Sequence, residues 1–122
     1  MSKSMYRDLI VWQRSRELAS SVYRLTRCFP RAEMFGLTSQ MRRASISVVS
    51  NIAEGHGRQS VDDTIRFLVM ARGSLLEIEA QTLVAMDLEY LDPDSGDELV
   101  EHALDAVRLL NGLIRHYEQK RV

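Results

Sequence analysis

The sequence predicts an all-α fold, an antiparallel up-down-up-down four-helix bundle. Three observations predict it. Apolar residues recur at helical spacing in four long stretches, and no stretch shows the alternation of a half-buried strand. Two prolines and six glycines in 122 residues leave room for long uninterrupted helices. The connections between the stretches are short, which makes consecutive helices antiparallel neighbours. A chain of this length is expected to form one domain, residues 1–122, able to bury a core without disulfides or metal.

The first helix is expected from about Leu9 to Cys28, with Asp8 as its N-cap and Pro30 beyond its end. Trp12, Ala19, Tyr23 and Thr26 share one stripe, with Ser15 and Val22 at its edge. Val11, Leu18 and Leu25 repeat every seven residues on a second apolar edge. Residues 29–36 connect to a second helix, from about Thr38 to Glu54, which Gly55 to Gly57 are expected to close. Leu37, Met41, Ala44, Val48 and Ile52 form its core stripe, and Ile46, Val49 and Ala53 form a separate apolar patch. The third helix opens at Ser60 with a capping-box-like Ser-Val-Asp-Asp and runs to Tyr90 or Leu91. Its core stripe is expected to be Ile65, Leu68, Val69, Leu76, Leu83 and Met86. Phe67, Ala71, Ser74, Ile78 and Ala85 make a second face. Gly73-Ser74 in mid-helix costs about 1 kcal/mol of helix propensity, so another backbone is expected to approach there. Residues 92–96 read as a turn. The fourth helix, about Asp97 to Gln119, carries Leu99, Ala103, Ala106, Val107, Leu110, Leu113, Ile114 and Tyr117 at regular helical spacing.

Composition excludes several function classes. With 45% apolar and 27% charged residues, the chain is an ordinary globular one rather than a disordered tail. The longest uncharged run, Ala44 to Ala53, is half the length of a membrane span and holds three serines and an asparagine. No apolar run near Met1 suggests a signal peptide, and the one cysteine, Cys28, cannot pair within the chain, so a cytoplasmic location is expected. His56, His102 and His116 are scattered, and no carboxylate–histidine pairing recurs on two helices, so neither metal, cofactor nor catalytic constellation is expected. Gly55-His56-Gly57-Arg58 lacks the Lys-Ser/Thr of a phosphate-binding loop.

The charge distribution is more informative than the net charge of −1. Residues 1–60 hold ten Lys and Arg against four Asp and Glu; residues 61–122 hold six against thirteen. Arginine supplies fourteen of the sixteen cations, and its planar fork suits carboxylate and phosphate equally. Two readings follow: basic helices packed on acidic ones, or a basic face for a polyanion. On the second helix Gln40, Arg43, Ser47, Asn51 and Glu54 share a polar stripe, which Arg72, Glu77 and Glu79 of the third helix are expected to meet in a network. Arg42, one residue round from Arg43, is then the better binding candidate. Arg14, Arg24 and Arg27 are expected on the open side of the first helix, and Arg58 before the N-terminus of the third, where backbone N–H groups could meet phosphate. These five arginines are the candidate nucleic-acid ligands. The apolar residues in excess of one bundle's need, Val11, Leu18, Leu25, Ile46, Val49 and Ala53, are the candidate interface between copies.

One set of motifs carries a resemblance. Tyr6-Arg7-Asp8-Leu9-Ile10-Val11-Trp12-Gln13, Gln40-Met41-Arg42-Arg43-Ala44, Ser50-Asn51-Ile52-Ala53-Glu54-Gly55 and Ala71-Arg72-Gly73-Ser74-Leu75 follow one another in the order seen in the four-helix-bundle family of 23S rRNA intervening-sequence proteins, also called S23 ribosomal proteins. The resemblance spans about Tyr6 to Tyr117. It implies a small bacterial cytoplasmic bundle without enzymatic activity, assembled as a ring-shaped homo-oligomer, a pentamer, and associated with rRNA or another nucleic acid through arginine–phosphate contacts. The alternative it leaves open is a scaffold ring that recruits a partner which itself handles nucleic acid.

Overall fold

The computed structural model describes residues 5–121. Its four long helices are α1 (Ile10–Thr26), α2 (Leu37–His56), α3 (Val61–Asp87) and α4 (Pro93–Glu118), with single 3-10 turns at Tyr6–Asp8 and Arg31–Glu33. No strand occurs among the described residues. α1 packs on α2 and α4, α3 packs on α2 and α4, and the backbones of the diagonal pairs stay apart. The result is the expected four-cornered antiparallel bundle. Leu18 and Val22 of α1, Met41, Val48 and Ile52 of α2, Leu68, Leu75 and Ile78 of α3, and Leu99 and Leu110 of α4 fill its centre. Burying ten such side chains is the main stabilising term, at about 1.5–3 kcal/mol each.

Two faces differ from their expected roles. Val11 and Leu18 belong to the core, and Leu25 packs against it. Val11 and Leu18 are therefore withdrawn from the surface, and the seven-residue repeat on α1 marks the seam toward the other helices of the same chain, with Leu25 half-buried at its end. On α3 the expected core stripe holds at Ile65 and Leu68, which are buried, but fails beyond them. Ala71, Ser74, Ile78 and Ala85 are buried, whereas Val69, Leu76 and Leu83 are 40%, 45% and 48% exposed. The physical reason is close packing. α3 presents small residues to α2, so the backbones approach: Ser74 Oγ lies 2.9 Å from Ser47 Oγ, and Thr64 Oγ1 donates to the Gly55 carbonyl at 2.9 Å. A Cβ at Gly55 would stand 2.9 Å from Phe67 Cβ. Gly55 therefore works as a helix–helix contact inside α2 rather than as its end. Gly73, by contrast, faces open space, with nothing in the chain near a Cβ built there.

The helix ends show the same kind of shift. Asp8 does not cap α1; its carboxylate accepts from the Met5 N–H at 3.1 Å within the preceding turn, and Leu9 occupies the cap position. Ser60 caps α3 as expected, accepting from the Asp63 N–H at 3.0 Å. α4 begins four residues before the expected Asp97. Asp92 is its N-cap, accepting from Ser95 N at 2.9 Å, and Pro93 takes the first helical position. Gly96 can then seat against Met86 where any Cβ would collide. The 92–96 segment is thus a helix start whose turn-like composition hid it.

Candidate nucleic-acid interface

α1 and its flanks carry the strongest unneutralised charge of the described residues. Arg7, Arg14, Arg16, Arg24, Arg27 and Arg31 are all exposed. Four other arginines form ion pairs with carboxylates: Arg58, Arg66, Arg108 and Arg121. None of the six around α1 lies within 4 Å of a described carboxylate. Residues 7–31 hold only two acids, Asp8 and Glu17. Asp8 is engaged by the Met5 N–H, and Glu17 stands 3.9 Å from His102 Nε2.

Arg14, Arg24 and Arg27 do not converge on one pocket. Arg14 lies on the α4 flank, beside His102, Asp105 and Arg108. Arg24 sits farther along the same groove with Ser21, Ser95 and Glu98, its Nη2 donating to Ser21 Oγ at 3.4 Å. Arg27 belongs to the opposite flank, in a shallow α1–α2 groove of about 420 Å³ lined by Trp12, Arg16, Tyr23, Ile46 and Val49 among others. α1 is therefore a basic ridge with arginines on its crest and both slopes, suited to a surface ligand with repeated charges rather than to a small enclosed molecule.

Two candidate ligands are claimed by the fold. Arg42 is half-buried, and its Nε donates to Thr26 Oγ1 at 2.9 Å. Its Nη2 reaches the Tyr23 carbonyl at 3.4 Å, and its guanidinium lies 4.8 Å from the Tyr23 ring centre. It pins α2 to the end of α1, while Arg43 is the exposed member of the pair. The expected order of the two is reversed, because the α1 neighbour lies on the Arg42 side of α2. Arg58 pairs with Glu54 at 2.6 Å and stacks 4.6 Å from the Phe67 ring, which Arg66 approaches to 4.7 Å. The α3 N-terminus beside it already has its Ser60 cap and carries Asp62 and Asp63 in its first turn. Those carboxylates oppose a phosphate at that helix end, so the expected anion site there is not built.

The expected polar network forms only at its centre. Ser74 Oγ donates to Ser47 Oγ at 2.9 Å, and Asn51 Nδ2 donates to the Ser47 carbonyl and hydroxyl at 2.9 and 3.0 Å. Arg72 turns away to α4, where Nη1 donates to Asn111 Oδ1 at 2.8 Å. Glu54 serves Arg58. Gln40, Arg43 and Glu77 line an open α2–α3 groove with Ser47, Ser74 and Gln81, and no hydrogen bond joins the side chains of Gln40, Arg43 or Glu77 to another described residue; nor does one engage the side chain of the half-buried Glu79. Of the six candidate interface residues Ile46 is exposed and Leu25, Val49 and Ala53 are half-buried, whereas Val11 and Leu18 are buried. Sequence reasoning missed Trp12, Arg16 and Tyr23 as surface groups. Their signal was present: Arg16 shares a helix flank with Tyr23 and Arg27, and in the structure its guanidinium sits 5.6 Å from the Trp12 ring.

Among the described residues, no cluster of three or more His, Cys, Asp and Glu could hold a metal ion. None of the described helices is long and apolar enough to cross a membrane.

The chain is similar to a crystal structure of a protein of unknown function from the S23 ribosomal protein family of Bacteroides thetaiotaomicron VPI-5482. The likeness has 22% identity and a TM-score of 0.80 and covers 87% of this chain and 96% of that one, which supports the bundle fold. No curated protein matches it. The family model described as 23S rRNA-intervening sequence protein matches residues 7–112, nearly the whole bundle, and the chain therefore belongs to that family.

Proposed function

We propose that this protein is a non-enzymatic, homo-oligomeric RNA-binding bundle whose α1 ridge contacts the phosphate backbone of structured RNA, ribosomal RNA being the favoured class in the cytoplasm. The observation that carries the reading is the set of six exposed arginines between Arg7 and Arg31, none within ion-pair distance of a described carboxylate. A guanidinium left without an acid on its own surface is available to an external one, and phosphate is the anion its fork fits best. Sequence specificity is not expected of such a surface, because backbone contacts position a ligand without reading bases. The net charge of −1 matters less than its placement: only four of the seventeen acids lie in residues 1–60, and only Asp8 and Glu17 fall between Arg7 and Arg31. Assembly into a ring, five copies in the family pattern, would repeat the ridge around one rim.

Arg14, Arg24 and Arg27 are the residues to test. With the B-form duplex coefficient, three phosphate contacts give a slope of about −2.7 in log K against log salt, or roughly a 40-fold loss of affinity between 50 and 200 mM. Titration of a labelled rRNA fragment by fluorescence anisotropy should show at least that slope, and alanine at all three positions should flatten it. A salt-independent affinity, or a triple variant that binds as the parent does, defeats the reading. The exposed apolar face of α3 favours a second reading, a scaffold ring that recruits a nucleic-acid-handling partner. Captured partners that survive nuclease digestion support it, and partners lost with the RNA support direct binding.

A further inference from the structure

The outer face of α3 is built like half of a helix pair. Val69, Gly73, Leu76, Ala80 and Leu83 follow one another at spacings of four, three, four and three, the register of a coiled-coil seam, and all five are exposed. Met70 and Val84, 46% and 48% exposed, flank it. Gly73 adds an independent observation. A mid-helix glycine costs about 1 kcal/mol relative to alanine, and a Cβ there meets nothing within 4 Å. Nothing inside the chain compensates for that cost, whereas a helix seated on the seam would.

The charges beside the seam select its occupant. Arg66 is paired with Asp63 at 3.3 Å and Arg72 is held by Asn111, so the cations are engaged. Glu77, Glu79 and Asp87 have no ion pair among the described residues. The unneutralised charge along the seam is negative. The α1–α2 groove has the opposite character. Its floor is Trp12, Ala19, Ile46 and Val49, its banks carry Arg16 and Arg27, and no acid lines it. The seam from Val69 to Leu83 is about 21 Å long at 1.5 Å per residue, and the groove from Trp12 to Arg27 about 22 Å.

We propose that the α3 seam of one copy lies in the α1–α2 groove of a second copy, apolar residue on apolar residue, with Glu77, Glu79 and Asp87 on the side of Arg16. This rests on the homo-oligomer in the functional reading and names its two faces. The contact is head-to-tail, so each copy keeps one free seam and one free groove until the chain of contacts closes. An α3–α3 pair would instead bring like charges together. Arg14 and Arg24, on the crest and far slope of α1, stay open to RNA in this arrangement.

Two substitutions at exposed positions test it: Leu76→Asp on the seam and Ile46→Asp in the groove, with Leu83→Glu as a second seam variant and circular dichroism to verify folding. By sedimentation velocity the parent assembles, each variant alone sediments as one chain, and an equimolar mixture of Leu76→Asp with Ile46→Asp yields a species of two chains. The mixture pairs because one variant retains the groove and the other the seam. Assembly of Ile46→Asp alone, a mixture that stays at one chain, or a parent that remains a single chain at high concentration overturns the proposal. RNA affinity of an Arg14→Ala/Arg24→Ala variant is read separately: loss of salt-dependent binding parity there with unchanged assembly bears on the polyanion reading, and unchanged RNA binding with lost assembly bears on the contact.

Discussion

Replacing Ile78 and Leu83 by alanine, one at a time, decides which face of α3 is the core. The two residues are five apart, and helical periodicity read from the sequence assigns Leu83 to the interior and Ile78 to a secondary face. Ile78 is fully buried and Leu83 is 48% exposed. Truncating a buried isoleucine removes about three methylene equivalents, near 2.4 kcal/mol of transfer free energy at ~0.8 each. The cavity left behind raises the cost to about 3–4 kcal/mol. Leu83 has about half its surface in water already and leaves no enclosed void, so its truncation costs about 1 kcal/mol or less in the single chain. At about 3–5 °C per kcal/mol for a domain of this size, the melting temperatures should part by roughly 10 °C. Thermal unfolding at low protein concentration is the assay, since assembly would stabilise both variants by mass action. At high concentration Leu83→Ala should lose an additional, concentration-dependent increment that Ile78→Ala does not. Equal losses in the dilute sample, or the larger loss at Leu83, would show that the faces have been assigned the wrong way round.

Three further outcomes follow from single sites. Arg42→Ala should destabilise the fold by about 1–2 kcal/mol, from its hydrogen bonds to Thr26 and Tyr23 and its stacking on the Tyr23 ring, while leaving RNA affinity within twofold; chemical denaturation and anisotropy on the same sample check both halves. Glu89 follows α3 with φ 63°, the left-handed conformation that glycine adopts without steric cost, so Glu89→Gly should stabilise by roughly 0.5–1 kcal/mol in a thermal melt. Tyr90 donates its hydroxyl to Glu33 Oε2 at 2.9 Å, and that bond, burial and the Glu33 charge together hold the phenol above its ordinary value of 10.0. A raised folded value means the contribution is complete below pH 10 and is lost as pH climbs through it. Melting temperature followed from pH 9 to 12 should therefore fall more steeply for the parent than for Tyr90→Phe, and parallel curves would dismiss the tether.

The fold was legible because four helices of twenty or so residues leave few ways to bury their stripes. α2 was read correctly from Met41, Ala44, Val48 and Ile52, whose spacing has one solution. α3 was read correctly only at Ile65 and Leu68, because both of its faces are apolar enough to be a core. Large residues, Val69, Leu76 and Leu83, look more like interior than Ala71, Ser74 and Ala85. Packing against α2 reverses that preference: small residues let two backbones approach, and Gly55 against Phe67 and Thr64 shows how closely they do. Periodicity records which residues share a face and carries no information about the distance to the neighbour. The start of α4 was hidden for a related reason. Asp, Pro, Ser and Gly are turn residues, and they are also the residues that begin a helix, so Asp92 to Gly96 could be assigned only once Met86 had a position.

For the arginines, residue type predicted exposure well and allegiance poorly. Arg14, Arg24 and Arg27 lie on the surface as their helix positions require. Arg42 and Arg43 are adjacent, and only the side on which α1 docks decides which of them is held by Thr26 and which faces solvent. Arg58 shows the converse, since its exposed position matters less than Glu54 and Phe67 beside it. The separation of charge along the chain acquires meaning only in the bundle, where α1 stands diagonally across from α3. The basic α1 corner therefore stands across the bundle from the acids of α3, while α4 beside it carries Asp94, Asp97, Glu98 and Glu101. In the proposed seam-to-groove contact, the basic corner of one copy would face acids of the next. Such a contact would leave part of each α1 ridge uncovered, and a polyanion would be the partner whose binding strengthens as copies accumulate.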